Sequence, residues 1–177
     1  FPEKEFLKAI SAAIKLAIIV NPNNPTGSVV GQDYLIKAIK QAAAKNVLVV
    51  VDEAYYYFYP KTVIREVNKY KNLIVLRTFS KLCALASARL GYAAACPGII
   101  KNLRKIKPTY DVSGIGCVFA EQLLANPRII SGLVKEINVG KKFLVKKLCA
   151  QDIEHKNGQA NFILIKCKGR VNEISHK

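Results

Sequence analysis

Lys81 stands among residues that suit amine chemistry beside a phosphate group. It follows two hydroxyl residues, Thr78 and Ser80, and Arg89 comes after it in the chain. Hydroxyls and a guanidinium are typical of a phosphate site, because arginine presents paired donors in a fixed geometry. A lysine that forms a Schiff base must lose its proton, and nearby positive charge such as that of Arg89 favours the neutral amine. A single lysine is more often a surface charge, so this interpretation depends on the neighbours.

Asp52 directly follows the apolar run 47–51, so we expect it at the end of a buried strand. A carboxylate in that place caps a helix, binds a metal ion, or pairs with a buried cationic nitrogen such as the protonated pyridine of a cofactor. A hydrophobic strand followed by Asp-Glu also resembles the Walker B element of P-loop NTPases. That class requires Gly-x-x-x-x-Gly-Lys-Ser/Thr upstream. No such stretch occurs in the 177 residues, and Gly27 is followed by Ser28.

The segment 21–27, Asn-Pro-Asn-Asn-Pro-Thr-Gly, is a turn by composition. A residue before proline is pushed out of the helical region, which predicts extended backbone at Asn21 and Asn24. Gly27 can take a positive φ that other residues avoid. The segment is either a plain connection from a strand to a helix or a rigid support that holds the Asn24 amide toward a ligand.

The periodicity of apolar residues alternates between helix and strand along nearly the whole chain. Short continuous apolar runs, such as 16–20, are typical of strands buried on both faces. This order predicts an α/β fold with a largely parallel sheet, whose ligand-binding loops gather at the carboxyl ends of the strands. The segments 21–27, 52–55 and 77–81 should therefore open at one edge. Helices are predicted at 3–15, 32–45, 98–107, 113–124 and 128–149, and strands at 16–20, 47–51, 73–76, 91–95 and 162–166.

The formal net charge of +16 raises nucleic-acid binding as an alternative function. The densest basic groups, within 101–107 and 141–147, lie on predicted helices that also have apolar faces, so ordinary solvated faces are favoured. These apolar faces consist of Leu103 and Ile106 in the first helix, and of Phe143, Leu144 and Leu148 in the second. The aromatic run 56–59 could stack on bases, but packing or a pocket wall is the favoured interpretation. Five scattered cysteines without a Cys-x-x-Cys pair indicate reduced thiols in a cytosolic protein, not a disulfide framework or a zinc site. No apolar run reaches the roughly 18 residues of a membrane span.

Four motifs occur in an order and spacing that resemble the large domain of fold-type I pyridoxal-phosphate enzymes, the aminotransferase superfamily. They are Asn-Pro-Asn-Asn-Pro-Thr-Gly at 21–27, Val-Asp-Glu-Ala-Tyr at 51–55, Arg-Thr-Phe-Ser-Lys at 77–81 and Arg-Leu-Gly at 89–91. The second and third motifs together are most similar to the histidinol-phosphate aminotransferase branch. The resemblance implies a three-layer α/β/α large domain with a mostly parallel sheet at 1–125. A linking helix and the start of a small C-terminal α+β domain follow at 126–177.

The resemblance also implies a role for each matching residue, and it implies no metal. Lys81 is the catalytic lysine that binds the cofactor, pyridoxal 5'-phosphate, and moves the proton between the substrate α-carbon and the cofactor. Asp52 pairs with the pyridine nitrogen. Tyr55 and Asn24 hydrogen-bond the phenolic oxygen of the cofactor. The remaining implied contacts are Thr78, Ser80 and Arg89 to the phosphate and Tyr110 to the substrate.

One segment departs from the family pattern. Between the lysine and the arginine the family usually has Ala-Phe-Gly-Leu-Ala-Gly, whereas residues 82–88 read Leu-Cys-Ala-Leu-Ala-Ser-Ala. Both family glycines are replaced, so we expect the local backbone and the grip on the phosphate to differ.

The implied activity is amino transfer between histidinol phosphate and 2-oxoglutarate, giving glutamate, in histidine biosynthesis by a cytoplasmic homodimer. A related aminotransferase or decarboxylase acting on another phosphorylated amino acid or amino alcohol stays open, as does a basic nucleic-acid-binding module. The chain contains no methionine. By the same resemblance, the arginine for the substrate carboxylate and the aromatic ring that stacks on the cofactor lie outside this chain. We therefore expect either a fragment or an incompletely known sequence, with little or no turnover by the isolated chain.

Overall fold

A four-stranded sheet forms the centre of the fold, which is described by a computed structural model for residues 1–109, 112–167, 169 and 171. Its strands, in sheet order, are β1 (Leu16–Val20), β2 (Leu48–Asp52), β3 (Leu73–Thr78) and β4 (Gly91–Ala95). The first three are parallel, and β4 runs antiparallel to β3. The predicted α/β fold with a largely parallel sheet is confirmed.

The main apolar core lies on one face of this sheet, under helices α1 (Glu3–Ala9) and α2 (Gln32–Ala43). Helix α2 presents apolar residues at helical spacing, and the strands present every second residue. Each fully buried aliphatic side chain contributes roughly 1.5–3 kcal/mol, so this layer fixes the strands relative to one another. The core includes Ile19, Leu35, Ile39, Val49, Val51, Leu73 and Val75.

The opposite face is partly open among the described residues. Leu16 and Ile18 of β1 are 47% and 54% exposed, and Leu76 of β3 is 37% exposed. The prediction that 16–20 is buried on both faces is therefore wrong here. The physical reason is the alternation of side chains along a strand, since α1 and α2 cover only the face that carries Ala17 and Ile19.

The first helix is shorter than predicted. It ends at Ala9, whereas the periodicity predicted a helix to Lys15. Ile10 has an extended backbone (φ −70°, ψ 101°) and is buried in the core. Its apolar character continued the helical pattern in the sequence, but the side chain reaches the core from a turn.

The C-terminal part begins with three helices, α3 (Pro97–Ile106), α4 (Gly114–Ala125) and α5 (Pro127–Ala150). Helices α4 and α5 pack on a second apolar cluster around Phe79, Leu82 and Leu90. Two short antiparallel strands follow, β5 (His155–Lys156) and β6 (Leu164–Ile165). The predicted strand 162–166 is thus mostly irregular, and β5 was not predicted.

The apolar faces predicted for α3 and α5 are buried only in part. Leu148 is buried, but Ile106, Phe143 and Leu144 are exposed among the described residues. Helix α5 packs on the second cluster through its first half, including Ile130, Leu133, Val134 and Ile137, which leaves Phe143 and Leu144 of its second half outside that cluster. No helix in the described ranges is long and apolar enough to cross a membrane.

Candidate functional site

The carboxyl ends of β1, β2 and β3 lie side by side, and backbone pairing continues past them. The Asn21 N–H donates to the Asp52 carbonyl at 2.9 Å, and the Glu53 N–H donates to the Leu76 carbonyl at 2.9 Å. The three polar loops therefore start from adjacent points at one edge of the sheet, and that prediction is confirmed.

The loop after β1 is held by its own hydrogen bonds. The buried Asn21 side chain accepts from the Val30 N–H at 2.8 Å and donates to the Val30 carbonyl at 3.2 Å. The Gly27 N–H donates to the Asn23 carbonyl at 2.7 Å, and Gly27 has the expected positive φ of 64°. Because both ends of the turn are fixed, the exposed Asn24 between them has a defined position.

One residue from each loop meets in a cluster formed by Asn24, Tyr55 and Lys81. The Asn24 amide nitrogen donates to the Tyr55 hydroxyl at 2.9 Å. The Lys81 Nζ lies 5.6 Å from the centroid of the Tyr55 ring. Tyr55 is buried, and the edge-to-face packing of its ring on Phe162, with centroids 5.2 Å apart, fixes its orientation. Lys81 is exposed, and its amine makes no hydrogen bond or ion pair with any described residue.

Asp52 ends β2 with one carboxylate oxygen occupied. Its Oδ1 accepts from the Ala54 N–H at 2.9 Å. The other oxygen accepts no hydrogen bond within the described part of the chain, so a half-buried acceptor is available. The strand register pairs Asp52 with Leu76, which places Asp52 and Thr78 on the same face of the sheet.

The residues predicted to hold a phosphate group are only partly brought together. The Thr78 hydroxyl accepts from the Ser80 N–H at 3.1 Å and donates to the Leu90 carbonyl at 3.2 Å. The Arg89 guanidinium is exposed and donates to the carbonyl of Ala86 at 3.1 Å. Within the described residues, Arg89 therefore pairs with its own turn and not with Thr78 or Ser80.

The segment that departs from the family pattern also has an unusual backbone. Ala84 and Arg89 have positive φ values of 55° and 51°. Left-handed conformations are uncommon outside glycine. Glycine would adopt such a conformation without strain. The positive φ values therefore lie in the segment where the sequence predicted that replacing both family glycines changes the local backbone.

Glu53 and Arg77 form a buried ion pair directly behind the loops, and sequence reasoning gave them no role. The Arg77 Nη2 donates to Glu53 Oε2 at 2.8 Å, and Arg77 Nε donates to the same oxygen at 3.0 Å. Burial alone lowers the pKa of Arg77, but the hydrogen bonds and charge of Glu53 outweigh it and raise that pKa above its ordinary value. Their positions in the sequence could have indicated a role at the site, because Glu53 follows Asp52 and Arg77 precedes Thr78.

The C-terminal segment closes on the loop after β1 at a pair of glycines. The Gln159 N–H donates to the Gly27 carbonyl at 2.7 Å. A Cβ on Gly27 would lie 2.7 Å from the Gly158 Cα, so a side chain does not fit there. Lys141 of α5 donates to the carbonyls of Gly158 and Ala160. Its predicted place on a solvated face is wrong, since the side chain is half-buried and burial lowers the pKa of Lys141.

The other predicted features have mixed outcomes. Tyr110, predicted near the substrate, lies outside the described residues. In the aromatic run, Tyr57 and Phe58 pack on the second apolar cluster, in line with the favoured interpretation, and burial raises the pKa of Tyr57. The described residues contain no group of three His, Cys, Asp or Glu side chains that could hold a metal ion.

The amino-acid sequence of the chain is similar to those of known proteins. A protein of Carboxydothermus hydrogenoformans named histidinol-phosphate aminotransferase 1 is 38% identical over 159 residues, which cover 90% of this chain and 44% of that protein. The chain thus spans less than half the length of this curated relative.

Solved structures give the same grouping. The crystal structure of histidinol-phosphate aminotransferase from Sinorhizobium meliloti in complex with pyridoxal-5'-phosphate is 26% identical, with a TM-score of 0.83. The match covers 94% of this chain and 47% of that one. A crystal structure from Erwinia carotovora atroseptica is 27% identical with a TM-score of 0.90, and the match covers 99% of this chain and 53% of that one. The profile of the family "Aminotransferase class I and II" matches residues 4–175. The chain belongs to the aminotransferase class I and II family.

Proposed function

We propose that the chain is the cofactor-binding part of a pyridoxal-phosphate-dependent aminotransferase that moves an amino group between histidinol phosphate and 2-oxoglutarate. The observation that carries the proposal is the meeting of Asn24, Tyr55 and Lys81, from three separate loops, at the sheet edge where Asp52 ends β2. The names of the relatives from Carboxydothermus hydrogenoformans and Sinorhizobium meliloti support the substrate.

The described side chains fit pyridoxal phosphate. The available oxygen of Asp52 suits a protonated pyridine nitrogen. The Tyr55 hydroxyl accepts from Asn24, so its own proton can be donated to the phenolic oxygen of the cofactor. The Ser80 hydroxyl has no partner within the described residues and can donate to a phosphate oxygen.

Two of the proposed phosphate contacts require a local change. The Thr78 hydroxyl and the Arg89 guanidinium both donate to backbone carbonyls. The Thr78 hydroxyl must exchange that hydrogen bond for one to a phosphate oxygen. The Arg89 guanidinium has five N–H donors and must turn toward the phosphate, where it gains an opposite charge that a carbonyl lacks.

When bound, the cofactor supplies an electron sink for the substrate α-carbon. Lys81 Nζ would take the proton from that carbon as a general base and then deliver it, as a general acid, to the cofactor carbon that receives the amino group. Its amine is free of hydrogen bonds to the described residues, which leaves it able to move between these positions. Asp52 holds the proton at the pyridine nitrogen, and Tyr55 with Asn24 orients the ring.

The direct test is the visible absorbance that the protein gains when pyridoxal phosphate is added. Lys81→Ala should abolish the shift in absorbance. Lys61→Ala is a matched control, because Lys61 is also exposed and its Nζ lies 5.8 Å from the Tyr59 ring centroid. An unchanged shift in Lys81→Ala would refute the assignment of Lys81.

Product analysis tests the reaction class. Amino transfer from histidinol phosphate to 2-oxoglutarate produces glutamate, whereas a decarboxylase acting on a phosphorylated amino acid releases carbon dioxide. Carbon dioxide release without glutamate would replace the proposed reaction by the decarboxylase. Tight, steeply salt-dependent binding of DNA or RNA, with no binding of the cofactor, would favour a nucleic-acid-binding module instead.

The proposal extends to a homodimer in the cytoplasm. The family resemblance supports it, and so does the open face of the sheet at Leu16 and Ile18, since exposed apolar patches are often interfaces. Light scattering on the purified protein measures the assembly. A monomer at all concentrations would contradict this part of the proposal.

A further inference from the structure

We propose that Glu53 and Arg77 are positioning residues that set the spacing between Asp52 and Thr78, and with it the affinity for the cofactor. This inference rests on the proposed function, because it assigns the pair a task at that same site. Neither residue needs to touch the cofactor for this role.

Glu53 is 2% exposed, and its carboxylate is fully engaged. Besides Arg77, it accepts from the Thr62 hydroxyl, 2.8 Å and 2.7 Å from its two oxygens, and from the Val63 N–H at 3.1 Å. The pair therefore joins β3 to the far end of the loop after β2. That loop, from Asp52 to Thr62, also carries Tyr55.

Besides Glu53, the Arg77 guanidinium contacts three further side chains. It donates to the Thr62 hydroxyl at 2.8 Å and to the Tyr92 hydroxyl of β4 at 3.4 Å. Its Cζ lies 3.5 Å from the centroid of the Tyr56 ring, a close cation–π contact. One side chain thus connects β3, β4 and the turn that directly follows Tyr55.

The sheet geometry explains how the pair acts at a distance. Arg77 and Thr78 are neighbours in β3, so their side chains point to opposite faces. Asp52 lies on the Thr78 face. The ion pair is therefore behind the strands, with Asp52 and Thr78 in front, and the two Arg77 N–H donors that converge on Glu53 Oε2 set the offset between the strand ends.

Stability alone does not account for such a pair. Removing two charges from water is costly, and replacing a buried ion pair by apolar residues of similar volume is often neutral or stabilising. The property that the pair supplies and apolar residues lack is fixed direction, since the planar guanidinium places two N–H donors on one oxygen of Glu53. Small misplacements of binding groups have large effects on function.

The test measures the dissociation constant of the full-length protein for pyridoxal phosphate by absorbance titration, together with thermal unfolding without cofactor. Arg77→Lys keeps the charge but loses the planar set of donors that reaches Glu53, Thr62 and Tyr92 together. The double variant Glu53→Leu with Arg77→Met removes both charges and retains the volume. We expect both to weaken binding by about 10- to 100-fold, the range typical for residues that orient binding groups. The double variant also leaves the buried Val63 N–H without its acceptor, so we expect a modest decrease in its unfolding temperature, and the titration is done where the variant is fully folded.

The control is the exposed ion pair between Glu154 and Lys166, whose Nζ and Oε2 are 2.8 Å apart. Glu154→Gln should leave cofactor affinity unchanged. If the double variant binds the cofactor as tightly as the wild type, the positioning role is wrong and the proposed function stands. If the double variant unfolds at a much lower temperature and Arg77→Lys binds normally, the pair is only structural and the inference is overturned. A full-length wild-type protein that binds no pyridoxal phosphate overturns both this inference and the proposed function.

Discussion

Replacing Ala84 with glycine should stabilise the protein, although glycine usually has the opposite effect. Ala84 has a φ of 55°, a left-handed conformation that costs an L-residue roughly 1–2 kcal/mol. Glycine removes that cost but gives the unfolded chain more freedom, which costs about 0.4–1 kcal/mol. The net gain should therefore be about 0.5–1 kcal/mol in the free energy of unfolding.

Ala86→Gly is the matched control for this prediction. Ala86 is exposed like Ala84 and lies in the same irregular segment. It is not among the described non-glycine residues with positive φ, which are Asn46, Ala84, Arg89 and Asp152. Its replacement should only add freedom to the unfolded chain and so destabilise by about 0.4–1 kcal/mol. The difference between the two variants cancels the unfolded-state effect and leaves the left-handed cost, about 1–2 kcal/mol.

Equilibrium unfolding in urea measures both variants, provided that the slopes of the transitions agree. If Ala84→Gly destabilises the protein as much as Ala86→Gly does, the backbone at Ala84 is not left-handed. The reasoning about the replaced family glycines would then fail with it.

Three further predictions test other contacts. Gly158→Ala should cost about 1–3 kcal/mol in denaturant unfolding, because its Cβ would lie 2.5 Å from the carbonyl group of Gly27; an unchanged midpoint would contradict that close approach. Asn21→Ala should cost roughly 1–3 kcal/mol in thermal unfolding, because a buried backbone N–H and carbonyl lose their side-chain partner; a smaller loss would mean that water replaces the amide. Cys83 should be alkylated more slowly than the exposed Cys149, because burial raises the pKa of the Cys83 thiol and delays formation of the reactive thiolate as pH rises; equal labelling by mass spectrometry would argue against a buried Cys83.

The sequence was sufficient to predict where the candidate site lies. Parallel strands place their carboxyl ends at one edge, so apolar runs followed by polar motifs were enough to bring Asn24, Tyr55 and Lys81 together. The hydrogen bond between Asn24 and Tyr55 joins residues 31 positions apart, yet each was already assigned to a strand end. The apolar pattern and the topology of a parallel sheet together predicted this part of the site.

Contacts between distant loops were not predictable in the same way. No periodicity links Arg77 to Tyr56 and Tyr92, and none links Lys141 to the carbonyls of Gly158 and Ala160. The partners of both cations are distant in the sequence and come close only in the tertiary structure. The two-residue strands β5 and β6 were missed in part for a related reason, since so short a pairing leaves almost no alternation to detect.

The partners of individual basic side chains explain why a net charge of +16 says little about function. Arg77 is neutralised by Glu53, and Lys141 is held by two backbone carbonyls. Lys81 instead lies beside Tyr55 with its amine unpaired among the described residues. Strong partners hold a cation in place, whereas the Lys81 amine has no such partner among the described residues and can move to a substrate. Its position beside Tyr55, which Asn24 orients, supports the proposed role of Lys81 more than its charge does.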